Sequence, residues 1–593
     1  MAGFNRVVKV LTQRLLPESV AQASAYLNEL RNAVHPYMIF LLRRVQLHIL
    51  PARFWINEQL RGLDPFNVVL LTVMLCFFAY SVWISMRKLL RPLTERGVLP
   101  VAFRFFRSLP IITTLISQEK AKLRESLLSK RTLFGADRLT TLPRSATAAR
   151  EVLERLQKRA ASDVQLVTDG RSALSGAVYM PVDGEHRTLL DDAYKLFSLT
   201  NPLHPDAFPS VRQMEAEVVA ITADLMGGGP NGPNLNVCGA MTSGGTESIL
   251  SAVKASRDYM AERKGIREPE MIIGVSAHAA YWKAAEYFRI KLHVVPVGCD
   301  FRLSVANVRR YMNRNTAILV ASAPGFPHGL VDDVKGIAGL AARAGICCHV
   351  DACLGGFCLP FVRRLGGQVP PFDFSVPGVT SMSVDTHKYG QAHKGTSVVL
   401  YSCPELRSHQ YTRITDWTGG LYVSPGLAGS RPGALIASAW ASLVHLGEEG
   451  LMSATRDIIN ARDTLIAGIR SEIPELEVIG EPEMGVVAFR SRKPRDINIY
   501  VLNDWLLTRG WHLNALQAPP ALHFCFTAMN AAAAPALVMA LRQGVAEQLA
   551  NPQVAAESAL RGSAPMYGMA NVTLDRGMLG EFLVTYQDVM LIP

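Results

Sequence analysis

The segment SVDTHKYG at residues 383–390 decides the fold. The apolar residues Thr380–Val384 predict a short buried strand, which ends in a polar turn that holds one lysine, Lys388. A lysine at the carboxyl end of a strand can form a Schiff base with an aldehyde cofactor. Most lysines are solvated surface charges, however, so this interpretation depends on what accompanies Lys388 elsewhere in the chain.

Three other features precede this turn. Asp351 ends the predicted strand 346–350, where a buried carboxylate needs a cationic partner such as a protonated ring nitrogen. The segment TSGGTES at 242–248 places two glycines and several hydroxyl groups at the start of a predicted helix, Thr246–Lys264, and a helix N-terminus binds phosphate well. His278 follows the strand MIIGVS and could stack on a flat ring. Each feature alone also fits a salt bridge, a helix cap or a packed histidine.

Short apolar segments alternate with helical patterns from about residue 210 onward, which predicts an α/β domain with a largely parallel sheet. The predicted strands are Met271–Ser276, Leu292–Val297, Ala317–Ala321, Ile346–Val350, Thr380–Val384 and Ser397–Tyr401. Ligands of such sheets bind at the carboxyl ends of the strands. Past about residue 440, long helices such as Leu451–Ile473 and isolated strands predict a smaller α+β domain.

The N-terminal region predicts a membrane anchor. Residues 66–86 carry no charge over 21 residues and would span about 31 Å as a helix, enough for a bilayer core. A buried core helix or a cleaved signal peptide fits this length and position less well. Lys and Arg number two in the 20 residues before it and five in the 20 after it, which places residues 1–65 in the lumen and the C-terminal bulk in the cytosol.

The positive charge is concentrated around this anchor. Residues 1–110 hold 14 Lys and Arg against 5 Asp and Glu, so +9 of the net charge of +11 lies there. We therefore expect the lipid bilayer to be the partner of this charge and expect no nucleic acid.

The cysteines predict neither a disulfide framework nor a metal site. They number nine, an odd count without regular spacing, which is typical of a reducing compartment. Cys347 and Cys348 are adjacent in a predicted strand and would point to opposite faces of it.

The four features occur in the order glycine turn, histidine, aspartate and lysine, at 244, 278, 351 and 388. This is the order and approximate spacing expected of fold-type-I enzymes that depend on pyridoxal 5'-phosphate (PLP). Further segments extend this pattern: SGAVYM (175–180), TNPLHPDAFPSVRQMEAEVV (200–219), CGAMTSGGTESILSAVKA (238–255), SAPGFPHGLVDDV (322–334), HVDACLGGF (349–357), SVDTHKYGQAHKGTS (383–397), TDWTGGLYVSPGLAGSRPG (415–433) and MYGMANVT (566–573). In these segments, from about residue 165 onward, the chain resembles the sphingosine-1-phosphate lyases.

The resemblance implies an α/β, aspartate aminotransferase-like large domain with a mostly parallel sheet at 201–440 and a smaller α+β C-terminal domain at 441–593. Residues 87–200 are predicted to form a juxtamembrane and helical segment after the transmembrane helix at 66–86. The resemblance also implies a homodimer on the endoplasmic reticulum membrane, anchored by a single span with its catalytic part in the cytosol.

The resemblance implies roles for the four features. Lys388 is implied to hold PLP as a Schiff base, Asp351 to pair with the pyridine nitrogen and His278 to stack on the ring. The residues implied to bind the cofactor phosphate are Gly244, Gly245, Thr246 and His387.

Other residues are implied to act on the substrate. Lys394 matches the position that meets the substrate phosphate, and Tyr179 matches a tyrosine implicated in proton transfer. The proton-transfer residue stays open among Tyr179, His204 and Lys394. Asn201 and His204 are implied to line the site.

The segment 415–433 is implied to reach the partner subunit's active site through Tyr422 and Ser424. The chain departs from the family at His393, where the family often has a proline just before the position of Lys394.

The implied reaction is the cleavage of a phosphorylated sphingoid base into phosphoethanolamine and a long-chain aldehyde. The closest alternative is a PLP-dependent amino-acid decarboxylase, which needs a site for a carboxylate that leaves. Lys394 and the segment TGGLYVSPGLAGSRPG (418–433) favour the lyase. An inactive membrane-bound scaffold would be expected to have lost Lys388 or Asp351, and both are present.

Overall fold

The computed structural model describes residues 74, 110–129, 139, 141–161, 163, 172–182, 184–230, 232–559 and 576–591. The segment 1–65 and the anchor predicted at 66–86 lie outside the described residues, with the exception of Met74. Among the residues that are described, no helix is both long and apolar enough to cross a bilayer. The anchor therefore stays a prediction from the sequence.

The chain divides into two compact units. The first unit combines residues 1–127 with 580–590. Its described part contains most of the helices Pro110–Ser129 and Arg576–Leu591, and Lys120 Nζ lies 3.2 Å from Glu581 Oε2. The second unit runs from 128 to 579, with the last three residues of the chain, and it contains every residue proposed above for the site.

A seven-stranded sheet forms the centre of the second unit, in the order β1-β7-β6-β5-β4-β2-β3. Its strands are β1 (Cys238–Thr242), β2 (Glu270–Gly274), β3 (Lys291–Val295), β4 (Thr316–Ser322), β5 (Cys347–Asp351), β6 (Ser381–Val384) and β7 (Ser397–Tyr401). Only β7 runs against the others, since it is antiparallel to both of its neighbours. The predicted α/β fold with a mostly parallel sheet is confirmed.

Strand β1 is the one strand of this sheet that the apolar pattern did not predict. Its sequence CGAMT is rich in small residues, and a Cβ on Gly239 would clash with the carbonyl oxygen of Val399 in the neighbouring strand β7. The strand thus depends on a close approach of two backbones, which a search for bulky apolar residues overlooks.

Helices cover this sheet. The helix Gly245–Lys264 buries residues on several sides, including small ones such as Ser248, Ala252 and Ser256, and ends at Gly265 in the left-handed conformation. The other α-helices in the described part of the second unit are Ala149–Ala160, Glu185–Phe197, Pro209–Leu225, Ala280–Phe288, Val305–Tyr311, Val334–Ala344, Leu359–Arg364, Pro404–Ser408, Gly433–Glu472, Ile499–Leu507, Ala534–Ala550 and Pro552–Ser558.

The C-terminal part carries a second, antiparallel sheet in the order β10-β11-β13-β12. Its strands are β10 (Leu476–Val478), β11 (Val486–Ser491), β12 (Asn514–Leu516) and β13 (Ala521–Cys525). Residues 172–180 lie against this sheet, because Leu174 bridges to His512 and Ser175 Oγ accepts a hydrogen bond from Cys525 N at 2.9 Å. This stretch of the segment predicted at 87–200 therefore packs with the C-terminal domain.

A long helix, Gly433–Glu472, connects the two sheets and is broken at Gly447, whose φ and ψ are 54° and −165°. The predicted helix Leu451–Ile473 corresponds to the part beyond this break. The predicted boundary at 440/441 falls within the part before it.

Candidate active site

The strands β5 and β6 bring the predicted acid and the predicted lysine to one edge of the central sheet. Asp351 is the last residue of β5 and pairs in register with Ser383 of β6. Lys388 lies in the turn that follows β6. Because β5 and β6 run parallel, their carboxyl ends meet at the same edge, where ligands of such sheets bind.

Lys388 is held by a buried ion pair. Its Nζ lies 3.0 Å from Oδ2 of Asp385, whose side chain is only 2% exposed. Burial acts to lower the pKa of Lys388, but the carboxylate of Asp385 outweighs it and raises that pKa above its usual value. Conversely, burial acts to raise the pKa of Asp385, and the charges of Lys388 and His387 lower it below its usual value. The two groups thus stabilise each other's charge away from water.

The glycine turn approaches this ion pair closely. A Cβ on Gly245 would lie 2.7 Å from Cys353 Sγ and 2.9 Å from Asp385 Oδ2. A side chain therefore does not fit at this position without displacing buried neighbours. The free N–H groups of the first helical turn start here, as the phosphate interpretation requires.

His387 lies beside the same turn. Gly244 has a φ of +152°, and a Cβ there would lie 3.7 Å from Cε1 of His387. The imidazole donates through Nδ1 to the carbonyl oxygen of Thr396, and burial lowers its pKa, with Asp385 opposing this effect. Thr246 is exposed in the first turn of the helix. The structure thus brings the predicted phosphate-binding residues together.

Asp351 is almost fully buried, with 7% of its surface exposed. Its Oδ1 accepts a hydrogen bond from Cys353 N at 3.2 Å and one from Ser383 Oγ at 3.3 Å. A carboxylate held in this way at the end of a strand is suited to a cationic ligand group.

His278 follows strand β2 at the same edge of the sheet. Its Nδ1 accepts a hydrogen bond from Ala280 N at 3.2 Å, which fixes the ring, and the residue is exposed. An imidazole that is oriented but uncovered is compatible with stacking on a flat ligand.

Tyr179 and Lys394 lie together although 214 residues separate them. Lys394 Nζ is 4.7 Å from the centre of the Tyr179 ring, and the Tyr179 hydroxyl is 4.0 Å from Cys525 Sγ. Burial, assisted by Cys525, raises the pKa of Tyr179 well above its usual value. Burial, followed by the charge of Lys388, lowers the pKa of Lys394. Tyr179 therefore keeps its proton at neutral pH.

Asn201 and His204 occupy a turn before the helix Pro209–Leu225. The Asn201 Oδ1 accepts from Leu203 N at 3.1 Å and from Arg431 N at 3.1 Å, whereas His204 is exposed. The side-chain oxygen of Asn201 thus binds backbone N–H groups of the chain itself, and one of them belongs to the segment that follows Ser424.

Tyr422 and Ser424 belong to a two-stranded hairpin, β8 (Thr412–Trp417) and β9 (Gly420–Ser424). Ser424 is buried, and Tyr422 is half-buried, with its ring centre 6.3 Å from that of Trp417. All six residues of β8 are exposed.

Three residues of the site were missed from the sequence. Asp385 pairs with Lys388, as described above, and Ser383 binds Asp351. His349 in turn contacts Ser383. The available signal was the alternation of polar residues in two apolar strands, at 349 and 351 and at 381 and 383.

The described residues fit a phosphorylated aldehyde cofactor. Lys388 supplies a buried amine, and Asp351 supplies a buried carboxylate. At Gly245 the turn comes so close to its neighbours that a Cβ would not fit. Beside Lys388, Asp385 Oδ1 and Thr386 Oγ1 are buried and have no hydrogen-bond partner within the described part of the chain. Over the same residues, no cluster of His, Cys, Asp and Glu is arranged to hold a metal ion.

Comparison with known proteins identifies the family. Residues 177–492 match the pyridoxal-dependent decarboxylase conserved domain. The chain is 45% identical over 546 residues to the sphingosine-1-phosphate lyase of Arabidopsis thaliana, covering 91% of this chain and 97% of that protein. It is 42% identical to sphingosine-1-phosphate lyase 1 of Rattus norvegicus, covering 82% and 83% of the two chains.

A solved structure agrees with these relatives. The sphingosine-1-phosphate lyase of Burkholderia pseudomallei superposes with a TM-score of 0.69 at 36% identity, and the match covers 78% of this chain and 99% of that one. The chain belongs to the sphingosine-1-phosphate lyase family. It is a PLP-dependent lyase on the fold-type-I architecture, which confirms the predicted cofactor and reaction class.

Proposed function

We propose that this lyase cleaves phosphorylated sphingoid bases between Cα and Cβ and releases phosphoethanolamine and a long-chain aldehyde. The observation that carries the proposal is the arrangement of the site: Lys388 and Asp351 lie at one edge of the central sheet beside the glycine turn, and a second cation, Lys394, lies beside Tyr179. A substrate with an amine and a phosphate needs both an amine-reactive cofactor and a second anion site. A decarboxylase instead needs a site for a carboxylate that leaves, not for a phosphate that is retained.

The residues around Lys388 would hold PLP, which when bound supplies an electron sink for the electrons of the broken carbon–carbon bond. Lys388 would hold the aldehyde of the cofactor through its Nζ. Asp351 would keep the ring nitrogen protonated. The N–H groups at Gly245 and the imidazole of His387 would bind the cofactor phosphate.

Lys394 would bind the substrate phosphate. Burial lowers its pKa from the usual value, and a phosphate dianion beside it favours the charged ammonium again. The ring of Tyr179, 4.7 Å from Nζ, limits where the ammonium can lie. A cation held beside Tyr179 in this way favours substrates with a second anionic group.

Tyr179 would deliver the proton that the Cα of the product needs. Its raised pKa keeps the phenol protonated at neutral pH, so in the resting site it acts as an acid. The sequence left proton transfer open among Tyr179, His204 and Lys394, and the base that takes the proton of the 3-hydroxyl group stays open.

A homodimer would cover the exposed hairpin. Leu421 is 84% exposed, Val423 62% and Trp417 56%, and apolar side chains grouped in this way favour a protein interface. Tyr422 and Ser424 lie on the same hairpin, so the partner subunit's site would be completed by it. Sedimentation of a Leu421→Asp, Val423→Asp variant should show a monomer without activity. Leu142→Asp, at an exposed leucine elsewhere, should leave the dimer intact.

A single membrane span at 66–86 would anchor the enzyme to the endoplasmic reticulum with the catalytic unit in the cytosol. The support is the uncharged segment and the excess of Lys and Arg after it. Extraction of membranes with alkaline carbonate should leave the full chain in the pellet and release a variant that lacks 66–86. Release of the full chain would contradict the anchor.

Substrate comparison tests the proposed function. Purified enzyme with PLP should form long-chain aldehyde from sphingosine 1-phosphate and far less from sphingosine, which lacks the phosphate. In Lys394→Gln, the preference for the phosphorylated substrate should fall by about tenfold or more. Equal cleavage of both substrates by the wild type, or release of carbon dioxide from amino acids, would contradict the proposal.

A further inference from the structure

Four buried polar side chains form a row across strands β5 and β6. Ser381 Oγ lies 2.9 Å from Nδ1 of His349, and Nε2 of the same ring lies 3.2 Å from Ser383 Oγ. Ser383 Oγ continues to Oδ1 of Asp351 at 3.3 Å. His349, Ser381 and Ser383 have no exposed surface at all, and Asp351 has 7%.

The direction of each hydrogen bond in this row follows from its last member. The ionised carboxylate of Asp351 can only accept, so Ser383 must donate its hydroxyl hydrogen to it. Ser383 then accepts from His349, which requires the proton of the ring to be on Nε2. Nδ1 is left as an acceptor for the hydroxyl of Ser381. Every donor in the row therefore points toward Asp351.

The charge state of His349 keeps this direction constant. Burial lowers the pKa of His349 to about 4, with Asp351 opposing this effect, so the ring is neutral throughout the physiological pH range. The titratable groups nearest to this row in the sequence are the buried thiols of Cys348 and Cys353, whose pKa values burial raises, and the ring of Tyr281 packs against that of His349. The Tyr281 ring is 6.1 Å from that of His349, and burial raises its pKa well above the usual value. None of these groups changes its charge near neutral pH.

A row of buried polar side chains in the interior of a sheet is unfavourable in free energy compared with apolar packing. Residues 349 and 351 point to the same face of β5, and residues 381 and 383 to the same face of β6, because side chains alternate along a strand. Buried hydroxyl and imidazole groups cost free energy unless each finds a partner, and apolar residues of similar size would avoid that cost. Because the row ends on Asp351, we expect its function to lie in what it does to the Asp351 carboxylate.

We infer that His349 is a positioning residue that acts through Ser383 to orient the carboxylate of Asp351 toward the cofactor. The Ser383 hydroxyl and the Cys353 N–H both bind Oδ1, which sets the rotation of the carboxylate and assigns the ring nitrogen to the other oxygen. The inference rests on the proposed pairing of Asp351 with that nitrogen.

Two substitutions at 349 separate this role from packing. His349→Leu fills the space but removes the donor to Ser383, whereas His349→Gln can place an amide N–H where Nε2–H is. Ser383→Ala breaks the row at the next position and serves if His349→Leu fails to fold. His523→Gln is the matched control, since His523 is also fully buried and its pKa is also lowered to about 4, but it lies outside the row.

The measurements are the PLP dissociation constant, by titration of the apoenzyme, and the pH dependence of the visible absorbance of the holoenzyme. His349→Leu and Ser383→Ala should each weaken PLP binding by about fivefold to tenfold. Each should also shift the pH at which half of the change in visible absorbance of the holoenzyme has occurred. His349→Gln should restore most of the affinity, and His523→Gln should match the wild type.

Unchanged PLP affinity and absorbance in both His349→Leu and Ser383→Ala would overturn the inference and leave His349 a packing residue. The same outcome follows if His523→Gln loses as much affinity as His349→Leu. These readouts need no substrate, so they are independent of the proposed function. An enzyme that binds PLP as expected but cleaves no sphingosine 1-phosphate would contradict that function and not the role of His349.

Discussion

The Nζ of Lys388 lies 3.0 Å from Oδ2 of Asp385, and a Cβ added to Gly245 would lie 2.9 Å from that same oxygen. One buried carboxylate therefore contacts both the lysine that would carry the cofactor and the turn that would hold its phosphate. The negative charge keeps Lys388 protonated, although the attack on an aldehyde requires the neutral amine. Asp385 thus holds the Lys388 amine in place and slows its attack on an aldehyde at low pH.

Removing this charge should make Lys388 reactive at lower pH. In Asp385→Asn, burial of Lys388 is no longer outweighed by a carboxylate, so its pKa should fall. We expect the rate at which apoenzyme takes up PLP, followed by visible absorbance, to rise at a pH at least about one unit lower than in the wild type. Asp373→Asn, at another buried acid, which pairs with Arg363, should leave this profile unchanged. An identical profile for Asp385→Asn would contradict the ion-pair argument.

A methyl group at Gly245 should weaken cofactor binding. The new Cβ would lie 2.7 Å from Cys353 Sγ, so the turn must move away from the buried residues beneath it. We expect Gly245→Ala to lose affinity for PLP by about tenfold or more in a titration of the apoenzyme. Gly339→Ala, where the nearest atom is Nη1 of the flexible Arg343 at 3.4 Å, should bind PLP like the wild type. Equal affinities of the two variants would show that the turn does not form the phosphate site.

His393 should support the loop that presents Lys394. Its Nε2 lies 3.1 Å from Asp191 Oδ1 and its Nδ1 2.9 Å from Ser438 Oγ, so the imidazole joins the loop to two helices. Burial lowers the pKa of His393, and the neutral ring donates to Asp191 and accepts from Ser438. The imidazole thus gives this chain a support at the position where the family often has a proline.

In His393→Ala we expect KM for sphingosine 1-phosphate to rise by about threefold to tenfold while the affinity for PLP stays unchanged. The reason is that Lys394 loses its support whereas Lys388 and Asp385 keep their contacts. Asp191→Asn retains an acceptor oxygen and should change KM less. If His393→Ala has the KM of the wild type, the loop does not depend on this contact.

Acid should destabilise the fold partly through His523. Burial lowers its pKa from 6.5 to about 4, so the unfolded chain binds a proton at a pH where the native chain does not. This contribution to stability is complete above pH 6.5 and is lost as the pH falls toward 4. The difference amounts to as much as about 1.4 kcal/mol per pH unit over that range.

The thermal midpoint of His523→Gln should therefore fall less steeply between pH 6.5 and 4 than that of the wild type. Asp332 acts in the opposite direction, since burial raises its pKa to about 6 and its neutral form is favoured as the pH falls. It is present in both proteins and cancels in the comparison. Parallel curves would mean that His523 does not titrate as its burial requires.

Local patterns were sufficient to predict most of the fold. Strand β7 was predicted with the bounds Ser397–Tyr401 that the structure has, because its bulky apolar residues are contiguous. The helix Gly245–Lys264 was predicted to begin one residue later, at Thr246. Strand β1 was missed because its small residues are selected by the neighbouring backbone of β7, and that contact is not local in sequence.

The same distinction between local patterns and contacts that are distant in sequence applies to the residues of the candidate site. Asp351 stands out because it ends an apolar strand, and Lys388 stands out because it lies in the polar turn that follows one. Ser383 and His349 do not, since their contacts depend on the register between β5 and β6. The proximity of Lys394 to Tyr179 likewise exists only in the folded chain, and the resemblance supplied both residues before geometry could.

Product analysis of the wild type beside Lys388→Ala tests the account most directly. Each protein would be incubated with PLP and sphingosine 1-phosphate, and the products identified by mass spectrometry. The account predicts phosphoethanolamine and a long-chain aldehyde from the wild type and neither from Lys388→Ala. A wild type that binds PLP but releases only carbon dioxide from amino acids, or a Lys388→Ala variant that still forms the aldehyde, would contradict it.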